Sequence, residues 1–325
     1  MTEIDGLVGD IGGTHARFAL AHVADGRPVL SEPKTFTNRD YPSAEAAIAA
    51  YLTQVGVNRA PSRAVLAVAG PVADGAADFT NSDWDISEAQ LRRDAGFKAA
   101  RLINDFAAQA LGAPRVAAER LTRIGPDVHG IEGCPIAVMG PGTGFGLAGL
   151  LREAGRETVL STEGGHAGFA PVDEAEVEIW RRFAHRHGRV SVERVLCGQG
   201  LYELYLALAD IEGAQAPCSD ERDVQASASA GADPLAAQAV TRFCQILGSV
   251  AGDIALTMGA RGGVYITGGV AQRLADVLVT GGFRERFEAK GRFRDYLGEV
   301  PTLLIMEPYT ALLGAASVLP SLEPA

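Results

Sequence analysis

A chain of 325 residues with 47% hydrophobic and 21% charged side chains has the composition of a folded globular protein and not of a disordered one. Its net charge of −11 argues against a nucleic-acid surface, which needs clustered Lys and Arg; an anionic nucleotide would have to be held by backbone amides and a metal. The length exceeds what one core usually organises and points to two domains.

Residues 4–36 read as a three-strand meander: Ile4–Gly9, Arg17–Val23 and a strand near Val29–Phe36. A helix is expected from about Ser43 to Gln54, then a buried strand at Ala64–Ala69 ending in Gly70-Pro71. Ser87-Glu88-Ala89-Gln90 matches a capping box and opens a helix stopped by Gly96. A strand at Ala100–Ile103 leads through Asn104-Asp105 into a helical run. Strands followed by alternating helices and strands describe an α/β half. The second half starts with a strand at Ile136–Met139 and becomes helix-rich over Glu174–His187 and Leu201–Asp210. A long helix is expected over Pro234–Met258, with Pro in its first turn and Gly259 at its end. The strand Gly263–Ile266 runs into Thr267-Gly268-Gly269 and a helix, and the strand Thr302–Met306 with the helix after Tyr309 closes the layer. The Ala/Ser-rich stretch 225–230 reads as a mobile helix end or loop without functional signal, and His185-Arg186-His187 with Arg181 and Arg182 as a solvated basic face.

The scattered cysteines Cys134, Cys197, Cys218 and Cys244 show no metal spacing and read as thiols of a reducing compartment. The start Met-Thr-Glu-Ile-Asp does not read as a signal peptide, and no apolar run reaches membrane-spanning length. A cytoplasmic protein without a membrane partner is expected.

One device occurs twice. Gly9-Asp10-Ile11-Gly12-Gly13-Thr14 ends one apolar run, and Gly140-Pro141-Gly142-Thr143-Gly144 ends another; in both a second apolar run follows at once. Glycine permits a sharp turn and close approach of N–H groups to a ligand, and successive N–H groups make an anion-binding concavity. Two such turns suit two sides of one polyphosphate. No GxxxxGK[ST] pattern is present, and the GxGxxG match at Gly144–Gly149 is followed by a strand where a dinucleotide fingerprint would open a helix.

These motifs resemble the phosphate-1 and phosphate-2 hairpins of the sugar-kinase, Hsp70 and actin superfamily, and Thr267-Gly268-Gly269 resembles its adenosine turn. More narrowly, the chain resembles the bacterial ATP-dependent glucokinase family throughout its length. Leu102-Ile103-Asn104-Asp105-Phe106, Glu163-Gly164-Gly165-His166, residues 191–196 and residues 287–293 match that family's pattern in order. His15 departs from it, since the family pattern has Asn there. The resemblance implies an α/β fold with two domains of the actin-like ATPase (ribonuclease H-like) type and an interdomain active-site cleft. The small domain would hold residues 1–113 plus 307–325 and the large one residues 114–306. The implied reaction is ATP-dependent phosphorylation of the 6-hydroxyl of D-glucose, the first step of glucose catabolism, by a homodimer.

Residue by residue, ATP would lie on Gly9, Asp10, Ile11, Gly12, Gly13, Thr14, Gly142, Thr143, Gly144, Gly268 and Gly269. Asp10 either caps a turn or acts through water on Mg2+, which prefers carboxylates and retained waters. Asp105 is a helix N-cap, the base that takes the proton of the sugar hydroxyl, or both. Asn104, Glu163, His166 and Glu193 offer directional donors and acceptors for paired sugar hydroxyls, although Glu163 and His166 also have half of a metal-site spacing and Glu193 reads equally as a helix-start acid. Asn81 is a further candidate from the small domain. A kinase for another hexose keeps the same machinery, and a non-catalytic sugar-responsive regulator would keep the fold alone.

Overall fold

The computed structural model describes residues 4–77 and 84–323 and divides into two compact units, residues 1–117 with 307–325 and residues 118–306. In the first unit β1 (Gly6–Ile11), β2 (His15–Ala24) and β3 (Arg27–Thr37) form the expected meander, followed by α1 (Ala44–Gln54) and β4 (Arg63–Val68). A small ribbon of β5 (Val72–Ala73), β6 (Ala76–Ala77) and β7 (Ile86–Ser87) precedes α2 (Glu88–Asp94), β8 (Ala99–Asn104) and α3 (Asp105–Gly112). The main sheet has the order β3-β2-β1-β4-β8, antiparallel up to β1 and parallel beyond it.

Period-two alternation sends neighbours in β1 to opposite faces. Leu7 and Ile11 join Phe18, Ile48, Tyr51 and Leu102 in one core, and Val8 joins Val65, Leu312 and Ala315 in another. Both faces of the sheet are therefore covered, the second by the C-terminal helix Thr310–Val318. That helix also presses on α3 so closely that a Cβ on Gly112 would overlap the Thr310 carbonyl, and one on Gly314 the Ala108 carbonyl. Glycine is needed here for space.

The second unit repeats the layout. β9 (Leu121–Arg123) precedes the meander β10 (Ile136–Pro141), β11 (Phe145–Glu153) and β12 (Arg156–Thr162). Then come α4 (Glu174–His187), α5 (Val192–Val195), α6 (Gly198–Glu212), α7 (Glu221–Ser229) and α8 (Pro234–Met258). β13 (Gly263–Ile266), α9 (Gly269–Arg273), α10 (Ala275–Thr280), α11 (Phe283–Glu288), α12 (Arg294–Gly298) and β14 (Thr302–Ile305) complete it. The sheet order β12-β11-β10-β13-β14-β9 matches the first unit strand for strand, with β9 added antiparallel at the far edge. The repeat, weak in sequence, is a duplication of topology.

Several expectations need correction. α8 is long and apolar enough, by length and composition, to cross a membrane, but 67% of its most apolar window is buried in the unit. Of the two alternatives for residues 225–229, helix end or loop, the structure has the end of a regular helix. His187 is no solvated base: its Nε2 lies 2.7 Å from the buried Glu203 carboxylate, which Arg186 also reaches at 3.1 Å. Glu176 is fully buried too, bonded to Arg286 at 2.6 Å and Arg242 at 3.3 Å, and these ions tie α4 to α8 and α11.

Burial alone would raise the Glu203 carboxyl, but the bonds from His187, Gln199 and Arg186 outweigh it and hold the group below its ordinary value of 4.5. A depressed folded-state value stabilises the fold above the unfolded value and loses that stabilisation as pH falls through the folded one. Glu203→Gln should therefore lower the urea midpoint at pH 7, by a margin that shrinks as pH drops below about 4.5; a margin independent of pH would contradict this. Gly112→Ala should cost about 1–3 kcal/mol, because an added methyl meets backbone that cannot swing away; an unchanged urea midpoint would show that the helices yield.

Candidate active site

In the first unit the turn after β1 places Gly13 and Thr14 at an exposed tip, while Gly9 and Ile11 are buried within the strand. Gly9 serves packing: a Cβ there would lie 2.6 Å from Leu66 Cδ2. Neither Gly12 nor Gly13 takes a positive φ, so this turn does not use glycine's left-handed freedom. Its shape comes from hydrogen bonds. Gly12 N–H donates to His15 O at 2.9 Å, Asn38 N–H to Thr14 O at 2.9 Å, and Asn38 Nδ2 to Gly12 O at 2.8 Å. Sequence reading missed Asn38, whose pairing lies 26 residues away from Gly12.

Asp10 faces Arg17 across the β1–β2 ladder, and Arg17 Nη1 donates to its Oδ2 at 3.0 Å. Burial pushes the Asp10 carboxyl above its usual range, and the Arg17 guanidinium opposes the rise.

At the end of β8 the N-cap of α3 is Asn104 and not Asp105. Asn104 Oδ1 accepts from Phe106 and Ala107 N–H at 3.0 and 3.1 Å, and its Nδ2 donates to Gly70 O at 3.1 Å. Among the described residues one Nδ2 proton is then left for a ligand. Gly70 adopts φ +125° and anchors this side chain through its carbonyl. Asp105 is the first residue of α3, half-buried, with Oδ1 accepting from Phe106 N–H at 2.8 Å.

In the second unit the turn Gly142–Gly144 is closed by Gly142 N–H on Gly144 O at 2.8 Å. Glu193, in the first turn of α5, reaches it: its Oε2 accepts from Phe145 N–H at 2.8 Å, and a Cβ on Gly144 would run into that oxygen. The other oxygen, Oε1, stands 3.9 Å from His166 Nδ1. His166 and Glu163 bracket the short helical turn Gly164–His166, both exposed. Gly165 is obligatory there, because a side chain would strike the Phe145 carbonyl. Thus His166 and Glu193 are brought together beside the glycine turn. α6 is pinned to the same turn by Gly198 N–H on Gly142 O at 2.9 Å.

Gly268 follows β13, with φ +93°, and α9 begins at Gly269. A groove of about 420 Å³ along α8, lined by Pro234, Gln238, Thr241 and Arg242 among others, contains none of the expected residues. Asn81 lies outside the described residues.

A family model described as Glucokinase matches residues 7–321. A glucokinase of Caulobacter sp. (strain K31) is 53% identical over 311 residues, which is 96% of this chain and 94% of the relative. The solved structure of a glucokinase from an Antarctic psychrotroph superposes with a TM-score of 0.88 at 39% identity, covering 97% of this chain and 98% of that one. A ROK family glucokinase from Streptomyces griseus, solved in complex with glucose and AMPPNP, superposes with a TM-score of 0.65 at 18% identity, over 96% and 98% of the two chains. The last likeness is one of fold, the actin-like ATPase architecture.

Because Glu193 holds the Phe145 amide, Glu193→Ala should speed hydrogen exchange at that amide by about ten- to a hundredfold, the factor to which a charged hydrogen bond of about 1.5–3 kcal/mol converts. Unchanged exchange would show that the turn stands without Glu193.

Proposed function

The chain belongs to the glucokinase family, ATP-dependent hexose kinases, and from that premise we propose how its residues phosphorylate the 6-hydroxyl of D-glucose. The observation that carries this reading is the divided use of Glu193, with one oxygen on the amide of the glycine turn and the other toward His166. Groups suited to sugar hydroxyls thereby adjoin a turn suited to phosphate.

In this reading the phosphates of ATP lie on the backbone N–H groups of Gly12–Thr14 and Gly142–Gly144, and the adenosine against Gly268–Gly269. Backbone donors suit a chain whose net charge is −11, because they add no side-chain charge. Glu163, His166, Glu193 and the remaining Asn104 Nδ2 proton orient glucose. Asp105 accepts the proton of the 6-hydroxyl as that oxygen bonds to the γ-phosphorus, and the bond to the bridging oxygen of ADP breaks. Positioning and charge stabilisation supply most of the acceleration in such transfers.

Asp10 fits an outer-sphere role toward Mg2+. Its Oδ2 is engaged by Arg17, and the residue lies two positions before the Gly12–Thr14 turn. Bound Mg2+ supplies charge neutralisation on the phosphates, and such an ion usually keeps its waters and takes one or two carboxylates. The same reading makes the enzyme a cytoplasmic homodimer, which light scattering that returned a monomer mass would refute.

Asp105→Asn should lower kcat for glucose-dependent ADP release by at least about a hundredfold, the usual contribution of a positioned base. Glucose binding by titration calorimetry should persist. Near-parental turnover in the variant would remove Asp105 from the role of base, and a panel of hexoses reports whether glucose is the preferred acceptor.

A further inference from the structure

His166 and Glu193 lie on two separate stretches of chain, and a short backbone clip joins those stretches. Gly168 and Ser191 form an antiparallel bridge, with Phe169 N–H donating to Val190 O at 3.1 Å and Val192 N–H to Ala167 O at 2.9 Å. Ser191 Oγ accepts from Arg194 N–H at 3.3 Å and caps α5, which sets Glu193 in the first turn of that helix. On the other stretch the clip begins at Ala167, one residue past His166. The histidine is reached by a different bond: Arg189 Nη2 donates to the His166 carbonyl at 2.7 Å.

Arg189 reaches out from a fixed base. It follows Gly188, which ends α4 with φ +73° and gives its N–H to Ala184 O at 2.8 Å. His187, just before, is held by Glu203 of α6. A hydrogen bond to a carbonyl orients the rigid peptide plane to which that carbonyl belongs, here the one joining His166 to Ala167. The imidazole leaves the same Cα, so its direction follows from that plane. We propose that Arg189 is a positioning residue of the sugar site, and that its bond to the His166 carbonyl holds the His166 ring 3.9 Å from Glu193 Oε1. This rests on the glucokinase reading, in which His166 and Glu193 orient glucose. Arg189 is itself exposed, and the role asks of it one donor, which a lysine also supplies.

The test compares Arg189→Met, which drops the donor, with Arg189→Lys, which keeps one, and with His166→Ala alone and combined with Arg189→Met. Glucose KM, ATP KM and kcat are measured for each, with glucose affinity by calorimetry. Arg189→Met should raise the glucose KM about three- to tenfold, the range of a single hydrogen bond, and leave kcat and the ATP KM in place. Arg189→Lys should recover most of the loss. In the His166→Ala background Arg189→Met should add nothing to the weakening of glucose, because the bond acts through that one residue. An unchanged glucose KM in a folded Arg189→Met variant would overturn the proposal. So would an equal loss in the His166→Ala background, or a lysine variant as impaired as the methionine one. Faster hydrogen exchange at the Phe169 and Val192 amides of Arg189→Met would also overturn it, by showing that the clip and not the aim of the histidine was lost. If His166→Ala by itself leaves glucose affinity unchanged, the sugar-site reading fails, and that single variant keeps the two failures distinct.

Discussion

No side chain fits where β10 meets the turn after β13. A Cβ on Gly140 would overlap the Thr267 carbonyl, and one on Gly268 would overlap the Pro141 carbonyl. The Thr267 N–H closes the approach on Met139 O at 2.8 Å. Two bare backbones in contact let the Gly142–Gly144 turn and the Gly268–Gly269 turn leave adjacent parallel strands side by side. Everything else in that unit's candidate site hangs on this contact. Glu193 and the start of α6 are both fastened to the first of the two turns, and α9, which carries Arg273, starts from the second.

The first unit solves a similar problem on the same topology. Its turn after β1 is shaped by Asn38, and the Ala69 N–H after β4 donates to Ile11 O at 3.0 Å much as the Thr267 N–H does to Met139 O. The glycines of these two turns, Gly12, Gly13, Gly142 and Gly144, do not use positive φ. Their common feature is an accessible backbone, and at Gly144 the room that Glu193 occupies. Anion recognition of this kind relies on oriented N–H groups held by a rigid frame, which suits an acidic chain. Some cations serve structure: Arg242 and Arg286 compensate buried Glu176, and Arg284 reaches the carbonyls of Leu297, Gly298 and Val300.

Local signals in the sequence carry their elements faithfully. Pro at the first turn and Gly259 in the left-handed conformation bound α8 over Pro234–Met258, as read. Ser87 caps α2 through the Gln90 N–H at 3.2 Å. The strand after Gly144 is β11, which disposes of the dinucleotide match. Such features depend on residues within one or two turns of each other, so composition and spacing expose them.

By itself, then, the sequence determined the glycine turns, the strand–turn–strand context and the family to which Asp105, Glu163, His166 and Glu193 belong. Tertiary structure alone decided what those groups touch. Asn104, and not Asp105, caps α3, because only its amide reaches both the helix N–H groups and the Gly70 carbonyl. Asn38 with Gly12, Glu193 with Phe145, His187 with Glu203 and Gln225 with Arg273 are separated by 26, 48, 16 and 48 residues. Pairs that distant leave no periodicity to read. They exist because packed sheets and helices bring the partners within hydrogen-bond reach and exclude the water that would otherwise satisfy them.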